Sequence, residues 1–115
     1  MEIHTDRIAE ANSVWMKLRQ AVHIKDSRLR EAFLLNIANS ATDSRSRLQS
    51  NLVIRLSQLS EGSTKTKSSN ANAALSDLTS MALMARSEYA AYTLLDEPET
   101  AQECLKQFSG FLIEN

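Results

Sequence analysis

The fold is decided by residues 75–92, which read LSDLTSMALMARSEYAAY. Apolar side chains recur in this stretch at alternating intervals of three and four residues, at Leu75, Leu78, Ala82, Ala85, Tyr89 and Tyr92. Side chains with this spacing lie on one face of an α-helix, in the heptad pattern of a coiled coil. We therefore predict a coiled-coil-like helix at about 72–95, and we call its six-residue stripe the seam.

The same helix carries a second apolar stripe, through Leu83, Ala90 and Leu94. A helix that is apolar on two faces is either central in its own bundle or covered on one face by a partner. The seam is thus a predicted partner-binding surface. Tyr89 and Tyr92 are its expected anchors, because aromatic side chains are enriched among binding hot spots.

The rest of the chain is also predicted to be helical. No glycine or proline occurs before Gly62, and only Pro98 and Gly110 follow it. Tight turns usually recruit these two residues, so a chain this poor in them is most easily built from long helices. We predict an all-α fold, a small bundle of three to five antiparallel helices forming a single domain over 1–115.

Several boundaries can be predicted within this bundle. The first helix is expected to begin at Thr5 or Asp6. Residues 28–60 are predicted to form one long helix, with two helices broken near residues 42–44 as the alternative. The polar run at about 61–71 is predicted to be a flexible linker. Asp96 is expected to cap the last helix, with Pro98 in its first turn.

The net charge and its distribution indicate which classes of partner the chain could bind. The 115 residues have a net charge of −1, which argues against a dedicated nucleic-acid or membrane-surface protein. Residues 1–60 hold nine Lys/Arg and six Asp/Glu, a net of +3, whereas residues 61–115 hold four and eight, a net of −4. Either the two halves pack together, or two chains pair head-to-tail or antiparallel. The expected partner is another protein or a second copy of the chain, in a homodimer or hetero-oligomer.

The lone Cys104 allows no intrachain disulfide, and a reducing compartment is its simplest explanation. No stretch approaches the roughly 20 apolar residues that a membrane span needs. The N-terminal residues do not have the character of a signal peptide. We predict a cytoplasmic protein, with export that needs no cleaved signal as the alternative.

The sequence contains no motif typical of a catalytic, metal-binding or phosphate-binding site. His4 and His23 are far apart, and no metal-binding spacing of His or Cys occurs. No serine lies in a strained nucleophile turn, and the two glycines cannot form a phosphate-binding loop. We therefore predict no catalytic, metal-binding or cofactor-binding residues and no small-molecule ligand. The predicted function is a non-catalytic protein–protein interaction module, such as a small chaperone, adaptor, anti-regulator or assembly subunit.

One segment supports an alternative. Residues 37–52 read IANSATDSRSRLQSNL, in which Ile37 and Ala38 come early, Ser44 could cap a second helix and Leu48 and Leu52 could anchor it. This order loosely resembles a bacterial helix-turn-helix, although Thr42 replaces the turn glycine. The resemblance implies a small DNA-binding transcriptional regulator. The residues that would contact DNA are Arg45, Arg47, Gln49 and Asn51.

Overall fold

The computed structural model describes residues 2–59 and 62–114, with side chains from Arg7 onward. The described residues form four helices, which are α1 (Glu2–Ala21), α2 (Ser27–Ser57), α3 (Thr64–Leu94) and α4 (Pro98–Glu114). No strand occurs within these described ranges. The predicted all-α bundle is confirmed, and so is the long helix of the N-terminal half, because α2 continues without a break through residues 42–44.

The first two helices follow their apolar spacing. Buried residues recur along α1 at intervals of three and four, and the longer α2 continues the pattern. The prediction that α1 begins at Thr5 or Asp6 was wrong, since the helix begins at Glu2. Asp26 caps α2 by accepting hydrogen bonds from the backbone N–H groups of Arg28 and Leu29, at 2.9 and 3.0 Å.

The predicted linker at about 61–71 is wrong over most of its length, because α3 begins at Thr64. Ser63 is its N-cap and accepts a hydrogen bond from the backbone N–H of Thr66. The polar residues from 64 to 71 are only weak helix formers, but none is glycine or proline. Each adds a backbone hydrogen bond to a helix that packing has already nucleated further along, so the helix propagates through them. Gly62 precedes the Ser63 cap and has a φ of 85°, which suits glycine.

The connection between α3 and α4 uses Asp96 differently from the prediction. Asp96 does not cap α4; it ends α3 in the left-handed conformation, with φ of 61°. The backbone N–H of Glu97 donates to the Tyr92 carbonyl, and that of Asp96 donates to the Thr93 carbonyl. These two bonds define a Schellman motif. Pro98 is the first residue of α4, as predicted.

The four helices form a flat, elongated molecule in which α3 is central. It packs against α1, α2 and α4, whereas α1 and α2 meet along a smaller contact. The Cα atoms span 56 × 28 × 13 Å, with a radius of gyration of 15.9 Å. A compact domain of this length has a radius of gyration of about 13 Å. Two short helices therefore flank the long α2–α3 hairpin instead of enclosing it.

The core is built from small and aliphatic side chains. The buried face of α3 is formed by small and polar residues together with methionines, and these small side chains let the helices approach closely. Its buried residues are Ala73, Ala74, Asp77, Ser80, Met81, Met84, Ala85, Ser87, Glu88 and Ala91. Leucine, isoleucine and alanine side chains from α1 and α2 complete the main cluster.

Candidate functional site

The structure divides the seam into a covered and an open half. Tyr89 lies beside α4, where the Gln102 side-chain amide donates to its hydroxyl at 3.2 Å. Ala85 is buried and Tyr92 is half-buried against the core. These three residues share the face of α3 that receives α4, so the C-terminal half of the seam is occupied within the chain itself.

The N-terminal half of the seam lies beside the last turns of α4 and is only partly covered by them. Leu75 is 62% exposed, Ala82 is exposed and Leu78 is half-buried. Leu75 and Leu78 line an apolar groove of about 350 Å³ together with side chains from α2 and the last turn of α4. The full lining is Leu52, Leu56, Ala74, Leu75, Leu78, Phe111 and Leu112. We call this the terminal groove, and it is the candidate functional site.

The last turn of α4, which contributes to the groove, carries strongly exposed apolar side chains. Ile113, in the last turn of α4, is 85% exposed, and Leu112 is 46% exposed. Exposed apolar side chains that stand singly need no explanation, but a contiguous set at the edge of a concave surface is typical of a binding site. The concave apolar floor and its apolar rim could accept the apolar face of a helix.

The seam pattern also continues toward the N-terminus of α3. Ser68 and Ala71 precede Leu75 at the same alternating spacing, and both are exposed. Because Ser68 is polar, the apolar stripe itself begins at Ala71, passes along the terminal groove and ends beside α4. Only its last part is covered by the chain's own helices.

A buried charge network lies between α2, α3 and α4. The Glu88 carboxylate accepts from Nε of Arg45 at 2.6 Å, from Nη2 of Arg45 at 3.1 Å and from the Thr42 hydroxyl at 2.6 Å. Arg45 also donates to the side-chain oxygens of Gln49 and Gln107. Arg45 and Glu88 are 1% and 0% exposed. This geometry joins three helices, but the close pairing leaves neither charge available to a substrate.

Cys104 lies at the edge of this network. Burial raises the pKa of its thiol to about 11, and the neighbouring Glu88 carboxylate adds to the effect. Because the thiolate is the reactive form, a thiol with so high a pKa is a poor nucleophile near neutral pH. Cys104 therefore acts as a small buried side chain in this fold.

A second buried carboxylate connects α3 to the helices on its other side. Asp77 is fully buried and accepts from Nε of Arg55 in α2 at 2.9 Å. It also accepts from Arg7 in α1. One carboxylate thus joins three helices at the level where α1 and α2 flank α3.

The structure does not contain the helix-turn-helix that the alternative predicted at residues 37–52. Residues 37–52 lie within α2 as a continuous helix, so the turn that this alternative requires near Thr42 is not formed. Arg45, expected to contact DNA, is instead buried against Glu88. The polar residues at 42–44 stay helical because Thr42 has a buried hydrogen-bond partner. Arg47 and Asn51 are exposed and Gln49 is half-buried, but no recognition helix presents them.

The described residues contain no group of three or more His, Cys, Asp and Glu side chains that could hold a metal ion. Across residues 2–59 and 62–114, no helix is both long and apolar enough to cross a membrane. Comparison of the chain with protein-family models, curated proteins and solved structures gave no match.

Sequence reasoning missed the two buried carboxylates. Asp77 and Glu88 fall between the apolar positions of the seam, where a charged side chain is normally expected to face water. A signal was nevertheless present, because Ala73, Asp77, Ser80, Met84, Ser87 and Ala91 follow a heptad spacing of their own. The small size of most of these residues marks a face suited to close helix packing.

Proposed function

We propose that this chain is a non-catalytic helical interaction module that binds a helix of another protein molecule in the terminal groove. A small chaperone, adaptor, anti-regulator or assembly subunit would work in this way. The observation that carries the proposal is the open half of the seam, where Leu75 and Leu78 line an apolar groove at the end of α4.

The shape and chemistry of the groove favour a helix as its ligand. Its floor is formed by leucine and alanine side chains of two adjacent helices, and α4 already occupies the continuation of the same stripe. A second amphipathic helix could extend the packing that α4 begins, using the same alternation of three and four residues. The proposed location is the cytoplasm, supported by the buried, unpaired Cys104.

The proposal can be tested by photo-crosslinking in the cells that naturally express the chain. A photoreactive phenylalanine analogue is placed at Leu75, in the groove, and in a matched control at Leu29, an exposed leucine of α2 outside the groove. We expect protein adducts from position 75 in clear excess over position 29. Equal adduct yields at the two positions, or none at position 75, would contradict the proposed function.

A further inference from the structure

We propose that the chain also binds the phosphate group of a small molecule, in a cavity between α1 and the end of α2. The cavity has a volume of about 230 Å³ and is lined by Arg7, Asn51, Ile54, Arg55 and Gln58. We call it the arginine cavity. It shares no lining residue with the terminal groove, so the inference is independent of the proposed function. The sequence predicted no small-molecule ligand, because the two arginines lie on different helices and meet only in the folded chain.

A buried carboxylate holds the two arginines in place. Asp77 is 0% exposed, and one of its oxygens accepts from Nε of Arg55 at 2.9 Å while the other accepts from Nη1 of Arg7. The two guanidinium groups also reach solvent, since the Arg7 and Arg55 side chains are 26% and 23% exposed. Both groups are therefore oriented before any ligand arrives, which lowers the entropy cost of binding.

The positive charge of this arginine pair is only partly compensated. Two guanidinium groups share one carboxylate, which leaves one positive charge in excess. Among the described residues, no aspartate or glutamate lines the cavity, and Arg7 and Arg55 form no ion pair other than those with Asp77. Like charges at close range repel each other, so an anion beside both arginines would stabilise the arrangement.

The hydrogen-bond donors around the cavity favour a phosphate over a carboxylate. A guanidinium carries five N–H donors, and Arg7 and Arg55 each give one of them to Asp77. Asn51 and Gln58 are exposed, and within the described structure their side-chain amides have no hydrogen-bond partner. Phosphate offers three strong acceptor oxygens and accepts paired N–H bonds from arginine, so it matches this many donors better than the two oxygens of a carboxylate.

An adjoining cavity provides space for the rest of the ligand. It has a volume of about 170 Å³ and shares Arg7 and Asn51 with the arginine cavity. Its wall also contains Glu10, Ser44 and Arg47, which offer hydrogen-bond donors and acceptors of both charge signs. This mixed lining suits the hydroxyl groups of a small phosphate monoester.

Inorganic phosphate is the first probe. The purified chain is titrated with phosphate at constant ionic strength, and binding is followed by NMR through the side-chain amide signals of Asn51 and Gln58. We expect saturable shifts that sodium chloride does not reproduce, because general screening depends on ionic strength alone. Acetate should bind at least about tenfold more weakly, since it accepts fewer charge-assisted hydrogen bonds. Shifts that do not saturate, or acetate binding as tight as phosphate binding, would overturn the proposal.

Substitutions test whether the arginine cavity is the binding site. Arg55→Gln should weaken phosphate binding by about tenfold or more, the expected effect of losing a hydrogen bond from a charged donor. This change also removes a partner of the buried Asp77, so Gln58→Ala is measured beside it. Gln58 is exposed and its side chain bonds no described residue, so the variant should keep the fold and weaken phosphate binding about threefold.

Arg19→Gln is the matched control, because it makes the same change in net charge as Arg55→Gln. Arg19 is exposed on α1, about 18 Å along the helix from Arg7 and outside the cavity. This distance exceeds the screening length of about 10 Å at 0.1 M salt, so phosphate affinity should stay within about twofold of the original value. Equal losses for Arg19→Gln and Arg55→Gln, or an unchanged affinity for Gln58→Ala, would place the binding outside the arginine cavity and overturn the proposal.

Glycerol phosphate tests the adjoining cavity. Its hydroxyl groups should make it bind about threefold more tightly than inorganic phosphate. Arg47→Gln should remove this gain and leave the binding of inorganic phosphate unchanged. The fold should tolerate this variant, because Arg47 is exposed and its side chain contacts only the Ser44 hydroxyl, at 3.5 Å. A monoester that binds more weakly than inorganic phosphate would overturn the assignment of a small phosphorylated molecule as the ligand.

Discussion

At the scale of single residues, the interior is specified by a few buried polar side chains. Glu88 accepts three hydrogen bonds from α2, and Asp77 accepts from both α1 and α2. Removing charges from water is unfavourable, but here Glu88 has one arginine partner at close range and Asp77 has two. A shift of α3 by one residue would separate these pairs, so they fix the position of α3 along the bundle.

The Arg45–Glu88 pair gives the first prediction. Glu88→Leu should lower the free energy of unfolding by about 3–5 kcal/mol, because it leaves the Arg45 guanidinium buried without its carboxylate. The double variant Arg45→Met/Glu88→Leu should lose clearly less than the two single losses combined, since no charge is then left unpaired. Urea unfolding at fixed chain concentration measures the free energy of unfolding of the two single variants and of the double variant. Simple additivity of the two single losses would contradict the coupling described here.

The second prediction concerns Ser80 and Ser87. Both hydroxyls are fully buried on α3, and within the described structure neither has a hydrogen-bond partner. Replacing a buried unpaired hydroxyl by hydrogen removes its desolvation penalty, so Ser80→Ala and Ser87→Ala should each stabilise the fold by about 1 kcal/mol. Ser109→Ala, at an exposed position of α4, is the control for helix propensity. Stabilisation no larger than that of the control would show that the hydroxyls are satisfied in solution.

At the scale of the elements, the α3–α4 connection is set by one unusual backbone conformation. Asp96 adopts positive φ so that Asp96 and Glu97 can donate to the last carbonyls of α3. A left-handed conformation is unfavourable for any residue with a Cβ atom, although aspartate tolerates it better than most. The Schellman motif directs α4 back along α3, and this decides which part of the seam α4 covers.

Asp96 therefore gives the third prediction. Asp96→Gly should stabilise the chain by about 1 kcal/mol, because glycine adopts positive φ without steric penalty. Asp96→Ala should be destabilising, since alanine has neither the freedom of glycine nor the polar side chain of aspartate. Thermal unfolding followed by circular dichroism distinguishes the two variants. Equal melting temperatures for them would show that the turn does not hold this conformation in solution.

At the scale of the whole molecule, the flat arrangement follows from the unequal lengths of the helices. Two helices of 31 residues form the central hairpin, and helices of 20 and 17 residues flank it. At 1.5 Å per residue, α4 is about 20 Å shorter than α3 and cannot cover its full length. The candidate site lies where α4 ends against α3, with Phe111 and Leu112 beside Leu75 and Leu78, so its position follows from the length of α4.

The fourth prediction concerns this shape. Small-angle X-ray scattering of the purified chain, extrapolated to zero concentration, should give a radius of gyration close to the 15.9 Å of the single chain. The measured value will be slightly larger, because scattering includes side chains and bound water. A value near the 13 Å of a compact domain would show that the helices close around the hairpin in solution. Such closure would remove the open groove on which the proposed function depends.

The amino-acid sequence by itself determined the helical class and the apolar spacing of the seam on α3, because periodicity and the scarcity of glycine and proline act locally. It favoured a continuous α2 but left a break near residues 42–44 open, which the structure excludes. It could not determine which half of the seam is covered, because this depends on where α4 ends against α3. It also did not reveal the buried roles of Asp77, Glu88 and Arg45. A charged residue is stable in the interior only when a partner distant in sequence is brought beside it, and that pairing is decided by the tertiary structure.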